Sequence, residues 1–297
     1  MSILLDRSTR VLIQGITGKE GTFWTRHMLD LGTRVVAGVT PGKEGESCQG
    51  VPVYHTVRRA AEHEAEASLL FVPPRYTKDA VFEALDAGIR TIVTVADGIP
   101  LHDALQIRKA ALSCGAHIIG GNTSGVISPG KAMMGFFPYW IERVYKTGRL
   151  GVMTRSGSLT NEITALAVRA GFGVSTLVGV GGDPVPGCRF SEMLPLYQDD
   201  PETEGVLIIG ELGGTMEEEA AEALASGVFR KPLLAFVCGV YAPEGKRMGH
   251  AGAIVTGGRG TVNGKIRALE KAGALVATRP GMLPGLLNQA LGEEKTT

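Results

Sequence analysis

One histidine lies in the segment GKRMGHAGAI, residues 245–254, where two cations precede it and small residues surround it. His250 follows Gly249 and precedes Ala251 and Gly252, so little side-chain bulk shields its imidazole. A buried structural histidine is normally packed and hydrogen-bonded. These neighbours therefore favour a reactive imidazole that a substrate or a partner protein must reach.

A carboxylate that could orient this imidazole ends the apolar stretch IIGELGG, residues 208–214. Glu211 is expected at the carboxyl end of a strand, which is the edge where α/β sheets bind ligands. A carboxylate there either caps the next helix or orients a histidine and fixes its tautomer. His250 is the only histidine after residue 148, so it is the one candidate for that pairing.

Hydroxyl groups and glycine meet in RSGSLTNE, residues 155–162, at a predicted turn from strand to helix. Ser156, Gly157 and Ser158 would offer hydroxyls and free backbone N–H groups to an anion. The alternative is an ordinary helix start with Ser158 as the capping residue. The pattern alone leaves both interpretations open.

A glycine turn, GITGKEG at residues 15–21, follows the first predicted strand and opens a helix. Its glycines, Gly15, Gly18 and Gly21, do not have the G-x-G-x-x-G spacing of dinucleotide sites. The second strand ends near Lys43 and not near the carboxylate that would bind an NAD ribose. The turn favours another phosphate-bearing nucleotide such as coenzyme A, with a purely structural turn as the alternative.

The elements that must position these residues alternate between apolar strands and helices of 10–15 residues, which indicates two doubly wound α/β domains in tandem. The first half has predicted strands at 10–15, 34–39, 67–74, 90–98 and 117–122, with helices at 21–32, 77–88 and 101–115. The second half has predicted strands at 149–157, 174–183, 205–214, 232–240 and 274–280, with helices at 158–171, within 188–199 and at 215–227. We expect domains at 1–125 and 149–297 joined by a connecting segment, 126–148.

The bulk composition limits the classes of protein. Thirty basic and thirty acidic residues cancel over 297 positions, which argues against a nucleic-acid or membrane-surface binder. Four scattered cysteines without a C-x-x-C pair suggest neither zinc nor disulfides, and no metal site is predicted. No secretory signal, transit peptide or membrane-length apolar run is visible. We expect a soluble protein of the cytoplasm or of a compartment like the mitochondrial matrix.

Several segments together resemble the α subunit of succinyl-CoA synthetase (succinate–CoA ligase), nearly from end to end. The most specific of them is GKRMGHAGAI. The others are QGITGKEGTF (14–23), AGVTPGK (37–43), VPVYHTV (51–57), DAGIRTIVTVADGIP (86–100), TRSGSLT (154–160), GVGGDPVPG (179–187) and IGELGG (209–214).

The resemblance implies a Rossmann-like CoA-binding domain followed by a flavodoxin-like ligase domain. CoA would contact the first domain at Thr17, Gly18, Lys19, Glu20, Lys43, Val95, Ala96 and Asp97. In the second domain His250 would be phosphorylated transiently and Glu211 would hold its ring. Ser156, Gly157 and Ser158 would bind the phosphate.

The reaction implied by the resemblance joins a carboxylic acid to CoA while ATP or GTP is cleaved to the diphosphate and phosphate. The nucleotide and Mg²⁺ would bind to a β subunit with an ATP-grasp domain, in a heterodimer or heterotetramer. Such an enzyme would act in the tricarboxylic acid cycle with succinate as the first candidate substrate.

Two departures from the family pattern bear on the acid. Asn161 stands where the succinate enzymes usually carry Tyr, and GGNTSG, residues 120–125, replaces G-P-N-C-P-G. Asn122, Thr123 and Asn161 are therefore predicted to lie near the acyl group. A larger or more polar acid would make the chain a citryl-CoA or malyl-CoA synthetase small subunit.

Two alternatives come from other classes of protein. A non-catalytic CoA-binding regulator is disfavoured because the sequence retains both Glu211 and His250. An NAD-linked oxidoreductase is disfavoured by the glycine spacing.

Overall fold

The computed structural model describes residues 2–243, 246–255 and 260–292. The chain divides into two compact units. The amino-terminal unit contains Leu4–Phe137 and Gly179–Cys188, and the carboxy-terminal unit contains Met1–Ile3, Pro138–Val178 and Arg189–Thr297. Residues 179–188 therefore belong to the amino-terminal unit although they are distant in sequence from the rest of it.

The amino-terminal unit is built on a largely parallel sheet. The strands of this sheet are β1 (Arg10–Gln14), β2 (Arg34–Val39), β3 (Ser47–Cys48), β4 (Val51–Tyr54), β5 (Ala67–Leu70), β6 (Thr91–Thr94) and β7 (His117–Gly120). The unit also contains the hairpin of β8 (Gly125–Ser128) and β9 (Ala132–Gly135), which is not part of this sheet. Its helices are α1 (Lys19–Leu31), α2 (Thr77–Asp86) and α3 (Leu101–Cys114), with 3₁₀ turns at Ala61–His63 and Pro74–Tyr76.

The strand order of this sheet is β3-β4-β2-β1-β5-β6-β7. All neighbouring pairs are parallel except β3 with β4. Counting only the parallel strands along the chain gives the order 3-2-1-4-5-6 of a Rossmann fold. Strands β1 and β5 lie at its centre because they are apolar on both faces, as a sheet covered by helices on both sides requires.

The carboxy-terminal unit repeats the architecture with another strand order. Its strands are β10 (Thr147–Thr154), β11 (Val174–Gly179), β12 (Gly205–Glu211), β13 (Leu233–Cys238) and β14 (Leu275–Ala277). Its helices are α4 (Gly157–Arg169), α5 (Phe190–Asp199), α6 (Met216–Ala225), α7 (Val262–Lys271) and α8 (Leu283–Leu291), with a 3₁₀ turn at Pro280–Met282. The five strands of this unit lie in the order β14-β13-β12-β10-β11, which corresponds to 2-1-3-4-5 when read from the other edge and is flavodoxin-like.

These two strand orders confirm the predicted fold class, and the elements that the sequence analysis did not predict include the hairpin β8–β9 and helix α7. The segment 126–148, predicted as a connection, carries most of the antiparallel hairpin β8–β9. Each of its strands has four residues, too few to give a clear periodic pattern. Helix α7 was not predicted because Lys265 occupies one position of its buried stripe, whose other members are Val262, Ile266 and Leu269.

No helix within the described parts of the chain is both long enough and apolar enough to cross a membrane.

Candidate functional site

His250 and Glu211 meet in the carboxy-terminal unit. Glu211 is the last residue of β12, and its Oε2 lies 2.8 Å from Nδ1 of His250. The imidazole remains 24% exposed and the carboxylate 10%. Because Nδ1 faces the carboxylate, an attack on an electrophile in this geometry would come from Nε2.

The histidine lies in a compact turn that is held by backbone hydrogen bonds between its own residues. The N–H of Ala253 donates to the carbonyl of His250, and the N–H of Met248 donates to the carbonyl of Ala253. Gly245, at the start of the segment that contains this turn, lies outside the described residues. The turn presents the ring without enclosing it, as the small neighbours in the sequence suggested.

A cavity of about 600 Å³ opens beside this pair. Its walls come from the start of α4, the end of β12, the residues after β13 and the histidine turn. They comprise Ser156, Ser158, Leu159, Glu211, Leu212, Cys238, Gly239, Val240, Tyr241, Ala242, Met248, Gly249, His250 and Ala253. The imidazole and the amino end of a helix therefore line one space.

The helix start at this cavity is capped by Ser156 and not by Ser158. Ser156 is the N-cap residue, and its hydroxyl accepts a hydrogen bond from the N–H of Leu159 at 3.4 Å. Gly157 and Ser158 are exposed in the first turn, where backbone N–H groups have no partner within the helix. The alternative in which Ser158 caps α4 is thus wrong, and anion binding here stays a prediction.

The thiol of Cys238 lines the same cavity at the end of β13. Burial raises its pKa, and the nearby carboxylate of Glu211 raises it further. The thiol is therefore protonated at neutral pH and is a poor nucleophile.

Behind Glu211 the structure brings together buried charges that the sequence did not reveal. Arg155 places Nη2 3.3 Å from Oε1 of Glu211 and donates from Nη1 to the carbonyl of Gly213 at 2.8 Å. Glu217 accepts the backbone N–H of Glu211 at 3.1 Å and contacts Lys265. Arg155 lies 56 residues before Glu211 and Lys265 lies 48 residues after Glu217, so no spacing pattern connects these charges.

A second cavity, of about 640 Å³, lies in the amino-terminal unit at the carboxyl ends of β1, β2 and β5. The glycine turn forms one wall, and α2 contributes acidic side chains. The lining residues are Gln14, Gly15, Thr17, Gly18, Val39, Thr40, Pro41, Phe71, Val72, Pro73, Tyr76, Asp79, Ala80 and Glu83. This is the crevice where a Rossmann sheet binds a nucleotide.

The predicted CoA contacts in and after the glycine turn occupy different places. Thr17 and Gly18 line the cavity, and Gly18 precedes α1 without a capping side chain. Lys19 and Glu20 are exposed in the first turn of α1 and do not line the cavity. Lys43 lies in an exposed loop, where its Nζ pairs with Glu46 at 2.8 Å.

The loop after β6 contacts the loop after β7. The carbonyl of Ala96 accepts the N–H of Asn122 at 2.8 Å, and Oδ1 of Asp97 accepts from the Asn122 amide at 3.1 Å. Thr123 donates its hydroxyl to the carbonyl of Gly179 at 2.5 Å. One predicted substrate residue, Asn122, thus contacts two of the predicted CoA residues of 95–97, of which Val95 is half-buried.

Asn161, the third predicted substrate residue, lies on α4 beside a tyrosine that the sequence analysis did not single out. Tyr145 donates its hydroxyl to Oδ1 of Asn161 at 2.6 Å. Burial raises the pKa of Tyr145 well above its usual value, so the hydroxyl keeps its proton. With its oxygen turned to Tyr145, the Asn161 amide has its NH₂ group directed elsewhere.

Two family models match this chain: a CoA binding domain over residues 6–98 and a CoA-ligase over residues 153–275. The ADP-forming succinate–CoA ligase subunit alpha 1 of Archaeoglobus fulgidus is 49% identical over 278 residues, which cover 93% of this chain and 94% of that protein. The chain belongs to this family of CoA-ligase α subunits. The resemblance found from the sequence is confirmed.

Another member of this CoA-ligase family is more similar. The ADP-forming sulfoacetate-CoA ligase subunit SauD of Bilophila wadsworthia is 67% identical over 293 residues, covering 98% of this chain and all of that protein (100%). Among solved structures, ATP citrate lyase from Methanothrix soehngenii, in complex with citrate and coenzyme A, has a TM-score of 0.89 and 26% identity. That match covers 97% of this chain and 50% of the solved chain, so this subunit spans half its length.

Coenzyme A is the cofactor of this ligase subunit, and the CoA binding domain match covers all residues that line the amino-terminal cavity. The backbone of Gly15 has φ +79°, and a Cβ there would lie 2.3 Å from the carbonyl oxygen of Phe71. The turn is thus closed tightly at the cavity wall, and the N–H groups in the first turn of α1 form the kind of site that binds phosphate. The subunit's family forms carbon–sulfur bonds between acids and CoA.

Proposed function

We propose that this chain is the CoA-binding, phosphohistidine-carrying subunit of an ADP-forming ligase that makes an acyl-CoA from a short dianionic acid, sulfoacetate. The observation that carries the catalytic part is the 2.8 Å contact between Glu211 and Nδ1 of His250 at the wall of an open cavity. It supports attack by the imidazole through Nε2.

The reaction proceeds in three group transfers. His250 Nε2 attacks the terminal phosphorus of the nucleotide, a P–O bond breaks, and the diphosphate leaves. A carboxylate oxygen of the acid then attacks the same phosphorus, the N–P bond breaks, and an acyl phosphate forms. The CoA sulfur finally attacks the acyl carbon, phosphate leaves, and the thiol proton passes to solvent.

Residues at the start of α4 would stabilise the transferred group. Ser158 and the N–H groups of Gly157 and Ser158 lie at a helix amino end that shares the cavity with His250. Such an end favours a phosphoryl group both by hydrogen bonding and by the helix dipole. Glu211 would stabilise the positive charge that the imidazole acquires while it carries phosphorus.

A partner subunit completes this cycle. The relatives are themselves named as subunits, and the two cavities described here fit CoA and phosphohistidine chemistry. We propose that a β subunit with an ATP-grasp domain binds ATP or GTP with Mg²⁺. The partner would then set the nucleotide preference.

Sulfoacetate takes first place over succinate because identity is 67% to a sulfoacetate-CoA ligase subunit and 49% to a succinate–CoA ligase subunit. The Asn161 amide supports this order. Its Oδ1 accepts from Tyr145, so its NH₂ group is the part that can donate to an anion. A sulfonate has three acceptor oxygens and is ionised at every relevant pH, so it suits such donors.

Succinate stays the second candidate, supported by the Archaeoglobus relative. It carries the same two charges at neutral pH, but its distal group is a planar carboxylate. The tricarboxylic acid cycle would be the setting of that alternative only.

The deciding experiment is an intact-mass measurement of the chain purified with its native partner and incubated with ATP and Mg²⁺. We expect an acid-labile gain of one phosphoryl group that disappears when CoA and sulfoacetate are added together. If succinate and CoA removed the phosphoryl group but sulfoacetate and CoA did not, the substrate would be succinate and not sulfoacetate. The absence of any gain in an active-site-intact complex would contradict the phosphohistidine mechanism.

A substitution at Asn161 tests the choice of acid. Asn161→Tyr introduces the residue usual in succinate enzymes and removes the NH₂ donors, so we expect kcat/KM for sulfoacetate relative to succinate to fall roughly tenfold. Tyr145→Phe leaves the amide in place without its orienting donor and should cause a smaller change in the same direction. An unchanged ratio in Asn161→Tyr would show that this residue does not select the acid.

A further inference from the structure

A line of alternating charges runs from the candidate histidine into the interior of the carboxy-terminal unit. His250 faces Glu211 at 2.8 Å, and Glu211 faces Arg155 at 3.3 Å. Arg155 in turn lies 3.5 Å from Glu217, which contacts Lys265. Only the first of these contacts is explained by a direct role in the reaction.

The far end of this line is completely buried. The side chains of Glu217 and Lys265 are both 0% exposed, and Arg155 is 3% exposed. Taking an ion pair out of water costs free energy that its attraction often does not fully repay, and apolar residues of equal volume frequently stabilise a fold as well or better. Stability alone is therefore a weak reason for charges at these positions.

The buried groups are charged, and they contact the catalytic strand end directly. Burial alone would raise the pKa of Glu217, but Lys265 and Arg155 together outweigh burial and leave that pKa below its usual value. Glu217 is thus an anion at neutral pH. Its Oε1 accepts the backbone N–H of Glu211, so α6 is tied to the residue that faces His250.

Arg155 acts on Glu211 through charge more than through a directed bond. Its Nη2 is 3.3 Å from Oε1 of Glu211, yet that buried oxygen accepts no hydrogen bond within the described residues. Arg155 donates hydrogen bonds to the carbonyl groups of Glu211 and Gly213 and to Oε1 of Glu217. Its net effect on Glu211 therefore depends on how much of its charge Glu217 offsets.

We propose that the Glu217–Lys265 ion pair acts through Arg155 as a charge balance that sets how strongly His250 holds a proton. These three are positioning residues: none of them touches the reacting nitrogen. The negative charge of Glu217 weakens the effect of Arg155 on Glu211, and the positive charge of Lys265 neutralises that negative charge. Arg155 can therefore weaken the attraction of the Glu211 carboxylate for the imidazole proton. Attack on phosphorus requires the neutral imidazole, so this balance would set the pH range of the first step.

Other titratable groups also surround the imidazole and must stay constant in a test. In the described residues they are Glu211 at the end of β12, Cys238 at the end of β13, and Tyr241 and Arg247 near the histidine turn. None of them is altered in the variants below, so differences in the pKa of His250 between variants measure the effect of the buried Glu217–Lys265 pair.

The test is an NMR titration of the His250 imidazole in the full-length chain, with the resonance identified by its loss in His250→Asn. Glu217→Gln removes a negative charge, which disfavours the imidazolium, so the pKa of His250 should fall by roughly 0.5–1 unit. Lys265→Met removes a positive charge and should raise it by a similar amount. The double variant should titrate within about 0.2 unit of the parent protein, because the two losses cancel.

The remaining charges stay paired in each single variant. In Glu217→Gln, Lys265 still forms an ion pair with Glu218 at 3.1 Å. In Lys265→Met, Glu217 still forms an ion pair with Arg155. Should either buried variant fail to fold, Glu218→Gln serves in its place, since this side chain is 27% exposed. It should lower the pKa of His250 in the same direction as Glu217→Gln, by less.

Glu222→Gln, an exposed carboxylate of the same helix, is the matched control and should leave the titration unchanged. If the ion pair were purely structural, the pKa of His250 would shift in the same direction in both single variants or stay at the parent value in both. Either result overturns the proposal. The titration needs neither partner nor substrate. Its outcome therefore stands apart from whether the ligase reaction or the choice of sulfoacetate is right.

Discussion

His250→Asn is expected to abolish phosphorylation of the chain and to lower acyl-CoA formation by at least about a thousandfold. Covalent catalysis divides one difficult transfer into easier ones, and asparagine has no nitrogen that can form the intermediate. Its amide can still donate to Glu211, which is only 10% exposed, so the carboxylate is not left buried without a partner. The measurements are intact mass after ATP and steady-state turnover of the complex.

CoA binding separates this loss from unfolding. The cavity assigned to CoA is formed by residues between 14 and 83, so the dissociation constant for CoA should stay at the parent value in His250→Asn. His102→Asn, at an exposed histidine of α3, is the matched control and should retain both phosphorylation and turnover. Parent-level turnover in His250→Asn would refute the phosphohistidine.

Much of this arrangement follows from local sequence patterns. The apolar runs that end at Gln14 and Glu211 predicted central strands, and the residues after each run were expected at the ligand-binding edge. From that rule alone, the glycine turn was expected at the ligand-binding edge of the first sheet and Glu211 at that of the second. The pairing with His250 followed by elimination, since no second histidine competes in that half.

The sequence gives less information about contacts between distant charged residues. Lys265 interrupts the apolar stripe of α7, so it hid a helix and gave no sign of its partner Glu217 on α6. Lys43 was placed with CoA because of its charge, yet Glu46 pairs with it three residues away. Charge indicates that a partner exists, but only the three-dimensional packing decides which one is near.

The features that select the acid substrate could not be predicted from sequence patterns either. Asn161 was recognised as a departure from the family, but the orientation of its amide depends on Tyr145, sixteen positions earlier. Nothing in the spacing of the two residues predicts that contact. The direction in which an amide presents its donors is a property of packing.

Gly15→Ala is expected to remove CoA binding almost completely while the chain still folds. The φ of +79° costs an alanine roughly 1–2 kcal/mol, and its Cβ would also lie 2.3 Å from the carbonyl oxygen of Phe71. The turn between β1 and α1 must then open, which displaces Thr17 and the N–H groups at the start of α1. We expect the dissociation constant for CoA, measured by calorimetry, to rise at least about a hundredfold.

Gly88→Ala separates the two causes, because Gly88 has φ +88° but no atom within 4 Å of the position of a Cβ. Both variants incur the backbone cost, and Gly15→Ala alone incurs the clash. The free energy of unfolding should therefore fall by about 1 kcal/mol in Gly88→Ala with CoA binding intact, and by more in Gly15→Ala. If Gly15→Ala bound CoA as tightly as Gly88→Ala does, close approach of the backbone at this turn would not be what binds the phosphates, and the glycine turn would be a structural feature alone.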